Sequence, residues 1–497
     1  MTADPAAAIP DALHGAMLLL TAAAVVAPLI AVAVLKLGGF PTSPRTPAAA
    51  ALLISCLAAS GIVLLWNSGN GESFSSGERL GGGSLIQIDG ITAVLMPTVA
   101  VIELAILLVA PKRFLDVPAT ARILCAASAT FAAFATSHPL VLVAIWVVTA
   151  LPTWISIRGT PGSRPAARVF ATAMLVSLGC LTSGTVMMLV DPPWERHAGI
   201  VGNAGGWLVA LAVLVRKGIF PFHSWYPALF SGAPMSTALA ATMPQIAAYT
   251  AVRLLIGHAD HGDGVALELV TLSQLALVTA VYGGALALVQ RDLRGLIGTL
   301  AMSQSAMVLA GLAGKVPMEL NGAFCVWISS GLALTGIGLV AWAIESRAGP
   351  LSLATPQGRF RDAPELAAFF LLFGLAAIGL PGTLSFVADD LIVSGSLDDQ
   401  LHAGLMTIAS TVLCAIAVLR GWFMVFGGPT AIDGPKHLIL RRERVAMTGL
   451  LVPLFVLGLY PAPLVRSLER AAGQLLGVPV EESGNPPPSL QESSSGS

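Results

Sequence analysis

Mostly apolar stretches of about twenty residues follow one another along almost the whole chain, and most of the charged residues gather in the short segments between them. A helix needs about 20 such residues to cross the hydrocarbon core, where lipid offers its backbone no hydrogen bonds. That confines the chain to a polytopic bundle of membrane-spanning helices. Fourteen stretches qualify, beginning near His14, Pro47, Asp89, Ala121, Pro139, Val169, Val201, Pro234, Ala266, Leu296, Leu320, Leu366, Ala403 and Ala446. Composition agrees, with 55% apolar and 11% charged residues, where a soluble chain carries about a quarter charged. The expected fold is an all-α membrane protein of about 14 transmembrane helices. Residues 1–13 read as a short N-terminal segment, 14–470 as one transmembrane domain and 471–497 as a disordered polar tail. No basic region precedes the first apolar run, so a cleaved signal peptide is not expected.

Several function classes fall away. Net charge is -1, which gives no basic surface for nucleic acid. The five cysteines are isolated in apolar segments, so neither a disulfide framework nor a CxxC site is expected. There is no phosphate-binding loop, HExxH or credible dinucleotide fingerprint. The chain is expected to hold no metal and no cofactor.

Lys and Arg set the orientation. If the first loop is cytoplasmic, eighteen of them fall in cytoplasmic loops and six in loops of the other side, with Arg216 and Lys217 left over. Both termini are then expected outside a bacterial inner membrane.

Two stretches are interrupted, the seventh at Pro221 and the twelfth in "GLPGT" at Pro381. Proline removes a helical hydrogen bond, and lipid cannot satisfy the freed carbonyl. Such breaks therefore belong where protein or a hydrated cavity surrounds them. Their placement suggests two inverted five-helix repeats, about 121–256 and about 266–428, with an ion path near mid-membrane. In "VRKGIFPFHSWYP", Arg216 and Lys217 either end the seventh span and snorkel to the interface, or stay buried as functional cations.

That stretch resembles the "K-x-x-x-F-P-x-H-x-W-L-P" segment of antiporter-like proton-translocating subunits. These occur in respiratory complex I, membrane-bound hydrogenases and multisubunit Na+/H+ antiporters. "IQIDGITAV", "AAYTAVRLL", "ALALVQRDLRGLIGTLAMSQSAMVLAGL", "NGAFCVWISSGLALTGIGL", "PELAAFFLLFGLAAIGLPGTLSFVADDLIVSG" and "RRERVAMTGLLVPLFVLGLYP" are similar to further family segments in the same order. The resemblance runs from about Ser84 to Pro463 and is closer to the shorter M- or N-like members. It implies a chain of ionisable groups and water along the membrane midplane, through which protons hop. It also implies membrane and peripheral partner subunits that supply the driving reaction, as in an NADH:quinone oxidoreductase-like translocase, and no redox site in this chain.

Position by position the match has gaps. Val147 stands where the family has a helix-five Glu, and Arg216 where it has the helix-seven Lys, with Lys217 one residue on. Arginine does not deprotonate in proteins, so it can hold charge without relaying protons. Gln245 replaces the helix-eight Lys, Leu239 or Ala241 stands at the alternative His position, and Ser330 replaces the helix-eleven His. Asp389, followed by Asp390, matches the exit acid of helix twelve. Glu103 lies midway along the third stretch, either as a protonated carboxyl hydrogen-bonded to a neighbouring helix or as a relocated acid. His223 is either an interfacial anchor or a relay. Asp89 is expected to cap its helix at the outer surface, and Arg291, Asp292 and Arg294 to form a solvated turn. The reading is a proton-translocating or cation-translocating subunit. Its alternatives are the membrane half of an inorganic-carbon uptake pair and a scaffold that has lost its relay.

Overall fold

The computed structural model describes residues 5–38, 43–68, 73–80, 83–191, 200–256, 267–312, 317–397, 401–429 and 438–476. Most of the tail, residues 477–497, lies outside them, as do Arg196, Lys315 and Lys436 from the charge count. Two long helices lead, α1 (Pro5–Leu37) and α2 (Arg45–Ser68), followed by a hairpin of β1 (Phe74–Leu80) and β2 (Gly83–Ile88). Helices α3 (Gly90–Val109), α4 (Val117–Phe134), α5 (Pro139–Arg158), α6 (Arg164–Val190) and α7 (Ile200–Lys217) come next. Three short pieces follow: α8 (Trp225–Gly232), α9 (Met235–Thr242) and α10 (Ile246–Leu254). The second half comprises α11 (Leu267–Leu288), α12 (Leu293–Leu312), α13 (Pro317–Ala348), α14 (Pro364–Ala377), α15 (Leu384–Leu397) and α16 (Leu401–Phe426). The chain closes with α17 (Arg441–Leu459) and α18 (Ala462–Leu476).

Among the described residues eleven helices are long and apolar enough to cross a membrane, or twelve if α17 and α18, bent by 83°, count as one. A helix starts within five residues of each expected start except the first, where α1 begins nine residues earlier. Helix α18 extends to Leu476, six residues into the stretch read as tail. Its Leu464, Leu468, Ala471 and Ala472 are buried while Glu469 and Arg470 are exposed. It is thus an amphipathic helix lying across the end of the bundle.

Helices α12 and α13 are buried on every side, and both are apolar around most of their circumference, as a central helix must be. Small residues bring the outer helices close. A Cβ on Gly184 would lie 2.8 Å from the Gly205 carbonyl oxygen, and one on Gly205 would lie 2.9 Å from that of Gly184. Helices α6 and α7 therefore meet backbone to backbone, the usual way for helices to pack in lipid. Gly184→Leu is expected to force them apart at a cost of about 1–3 kcal/mol. Thermal unfolding in detergent should show this as a lowered midpoint.

Sequence reasoning did not anticipate the hairpin. It hooks onto the end of α4, where Gln87 N–H donates to the Ala135 carbonyl at 2.8 Å and Ser137 N–H to that of Ser84 at 3.2 Å. Gly83 is required there, because a Cβ would lie 2.2 Å from the Ser137 carbonyl oxygen. Asp89 does cap α3, accepting from Thr92 N–H at 3.0 Å, but it is buried rather than at a wet surface. Its carboxylate pairs with Arg253 of α10 through Nη1 at 2.5 Å and Nη2 at 3.0 Å. Arg294 is likewise not a free turn residue. It pairs with Glu345 at 2.7 Å and donates to the Ala233 carbonyl at 2.8 Å, beyond the end of α8.

Candidate functional site

The two proline breaks use one device. After α7, Gly218 takes a left-handed φ of 68°, Ile219 N–H reaches back to the Leu214 carbonyl at 3.0 Å, and Pro221 follows. After α14, Gly379 has a φ of 77°, Leu380 N–H reaches the Leu375 carbonyl at 3.0 Å, and Pro381 follows. Each is a glycine C-cap that satisfies a helix end away from water, with proline preventing continuation. A third break was not expected. Between α9 and α10, Gln245 adopts a φ of 54°, a conformation that non-glycine residues rarely hold.

These breaks position the charges. Lys217, the last residue of α7, is buried and donates from Nζ to Gln245 Oε1 at 2.5 Å. Its place at a helix C-terminus suits a cation. Arg216, one residue earlier, turns to α5 instead. Its guanidinium donates to the Trp146 carbonyl at 2.8 Å and Thr149 Oγ1 at 2.6 Å, and lies 4.3 Å from the Trp146 ring centre. That ring is held in turn, since Trp146 Nε1 donates to Ser177 Oγ of α6 at 3.1 Å, and Ser177 donates to the Ala212 carbonyl of α7 at 2.7 Å.

Arg216, Lys217 and Gln245 share a cavity of about 50 Å³ with Arg122, Thr149, Thr242 and Ser305, room for a few water molecules. The buried Tyr226 hydroxyl meets Thr242 and Ser305. Ser305 belongs to "SQS" on central α12, whose other members face a second polar group. Gln304 reaches the Cys414 thiol, and Ser303 Oγ lies 3.1 Å from Ser410 Oγ and 3.4 Å from Cys414 Sγ on α16. Next to Ser410, Thr411 donates to Asp389 Oδ2 at 3.4 Å. A carboxylate oxygen of half-buried Asp389 also lies 2.9 Å from where a Gly379 Cβ would be.

The other candidates lie apart from the cavity. Glu103 is fully buried, and neither of its oxygens meets a hydrogen-bond partner. Among the described residues the expected bond to a neighbouring helix is thus not made, and the carboxyl sits on a face of α3 that is otherwise apolar at Val99, Ala100, Ile106 and Leu107. His223 sits in the loop after α7, with Nε2 3.2 Å from the Tyr282 hydroxyl and its ring stacked on Phe220. Asp390 is exposed on α15. Val147 is 41% exposed on the outside of α5, and the Ser330 hydroxyl donates to the Trp327 carbonyl of its own helix. Arg122, Thr149, Tyr226 and the α12 serines were missed, because hydroxyls and one cation in apolar stretches give no spacing signal. Among the described residues no His, Cys, Asp and Glu cluster could hold a metal.

A family model described as "NADH:quinone oxidoreductase/Mrp antiporter, TM" matches residues 169–415, from α6 to α16. NADH-quinone oxidoreductase subunit M of Mycobacterium tuberculosis is 26% identical over 264 residues, 52% of this chain and 47% of that one. Subunit N 2 of Solidesulfovibrio magneticus is 31% identical over 291 residues, 58% of this chain and 61% of that one. A chain of respiratory complex I from Thermus thermophilus superposes with a TM-score of 0.80 at 21% identity, covering 92% of this chain and 99% of that one. The chain belongs to the antiporter-like membrane subunit family. A chain of the Mrp complex from Dietzia shares the antiporter-like fold too, with a TM-score of 0.79 at 17% identity, covering 93% and 98%. In sequence, this antiporter-like subunit spans about half the length of the curated relatives it matches.

Proposed function

We propose that this antiporter-like subunit moves protons through the membrane as part of a multisubunit assembly. The observation that carries the reading is the polar string across otherwise apolar α12. It runs from Lys217 and Gln245 through the cavity to Tyr226, Thr242 and Ser305, then by Gln304 and Ser303 to Ser410, Cys414, Thr411 and Asp389. Buried polar groups in lipid are costly and mark ion or proton routes. Hydroxyl and amide groups bridge the spacing that water must fill. Lys217 and Asp389 are the groups in this string that exchange a proton, and Arg216 holds a fixed charge beside the first.

Joining α9 with α10 and α14 with α15, and counting α7 and α17 as spans, makes fourteen crossings in this reading. The repeats are then α4 to α10 and α11 to α16, each with a glycine–proline break in its fourth helix. Ion pairs and caps support the expected sidedness. Arg45 and Arg442 both reach the Ala110 carbonyl, and Arg347 pairs with Glu443 at 2.6 Å, all at one end. In this reading the start of α1 and the end of α17 face the opposite side, away from the cytoplasm.

The test is purification in mild detergent with whatever partners remain bound, followed by reconstitution into vesicles and a pH-sensitive dye. Proton uptake that follows the partners' driving reaction and disappears with an uncoupler is the expected result. A complete, active assembly that moves no protons would leave only the scaffold reading.

A further inference from the structure

The cavity at the end of α7 carries three cations, Arg122, Arg216 and Lys217, and no aspartate or glutamate among its lining residues. Among the described residues every acceptor these cations meet is neutral. Lys217 has the Gln245 amide oxygen, Arg216 has the Trp146 carbonyl and the Thr149 hydroxyl, and Arg122 Nε has the Ser156 hydroxyl at 3.2 Å. Buried charge without a counter-charge is strongly disfavoured. The nearby candidate acids do not supply one, because neither Glu103 nor Asp389 lines the cavity.

We propose that this cavity is a binding site for a small inorganic anion of the size of chloride or bicarbonate. A volume of about 50 Å³ is enough for such an ion with little accompanying water. Donors remain for it. Lysine has three and arginine five, and the bonds named here occupy one on Lys217 and two on Arg216. The Thr149 and Thr242 hydroxyls donate to the Ile145 and Ala238 carbonyls, so of the hydroxyls named here that of Ser156, which accepts from Arg122, adds a donor at the same space. Half-buried Arg122 marks the approach, since cations in a low-dielectric cleft concentrate anions at its mouth. The ion occupies the role that a carboxylate on α5 would otherwise fill. Trp146 and Thr149, and not outward-facing Val147, are α5 positions whose side chains reach Arg216, and of these Thr149 bonds it through an oxygen.

The experiment uses the full-length chain alone in nanodiscs of neutral lipid and measures binding without transport, so its outcome is separate from that of the proton path. Ionic strength is held constant with potassium gluconate while chloride is raised, and chloride-35 line broadening and the thermal midpoint are followed. The expected result is saturable broadening that bicarbonate displaces and sulfate does not, with a midpoint that rises over the same range. Thr149→Asp, which tethers a carboxylate beside Arg216, should remove the broadening and hold the midpoint high in gluconate alone. Arg122→Gln, at the more exposed mouth, should weaken apparent affinity by about threefold to tenfold. Broadening that never saturates, or that is unchanged in both variants, would overturn the site. So would an unmodified chain indifferent to anions, in which Lys217 would balance the cavity by shedding its proton.

Discussion

Lys217→Ala is expected to reduce proton uptake by the reconstituted assembly to the leak of empty vesicles, and Asp389→Asn to do the same. Alanine leaves Gln245 without its donor and the cavity without a group that can take up and release a proton. Asparagine keeps the shape of Asp389 and its contact with Thr411, but cannot carry a proton. Arg216→Lys should be tolerated, since only charge beside Thr149 and Trp146 is asked of that position. Assembly must be followed in parallel by co-purification. If either Lys217→Ala or Asp389→Asn assembles normally and still pumps at the original rate, that residue is not on the path.

The second large effect concerns stability. Asp89→Ala should lower the free energy of unfolding by about 3–5 kcal/mol, because it leaves Arg253 buried without its counter-charge. The same carboxylate caps α3 through Thr92 N–H, a contribution of about 1 kcal/mol that no change at Arg253 can restore. In the double variant Asp89→Ala with Arg253→Met, most of the loss beyond the cap should therefore return. Unfolding titrations of the two single variants and the double variant close the cycle. Additive losses would show that the pair contributes little as a pair.

Where a feature depends on neighbours in the chain, the sequence discloses it. Gly218 with Pro221, and Gly379 with Pro381, stop their helices by local geometry, and both breaks could be located from those residues alone. The third break offers only Pro244 ahead of Gln245, and the left-handed glutamine is imposed by packing that no local preference announces. The hairpin was hidden by "FSSGERL", which is polar, contains glycine and lacks the alternation of a half-buried strand. Asp89 and Arg253 lie far apart in the chain, so their pairing becomes visible only when α3 and α10 are seen side by side. Family likeness located Lys217, Gln245 and Asp389. It gave no hint of the serines of α12, which in sequence look like any small residues of a packed helix.

The glycine contact between α6 and α7 limits how this chain can work. With the Gly184 and Gly205 backbones touching, neither helix can slide like a piston past the other without breaking a contact that has no slack. Arg216 and Lys217 ride at the end of that locked pair, twelve residues or fewer beyond Gly205. Any cycle of charge and discharge there must be carried by rotating side chains, migrating water and the glycine hinge at Gly218, on a frame that stays still.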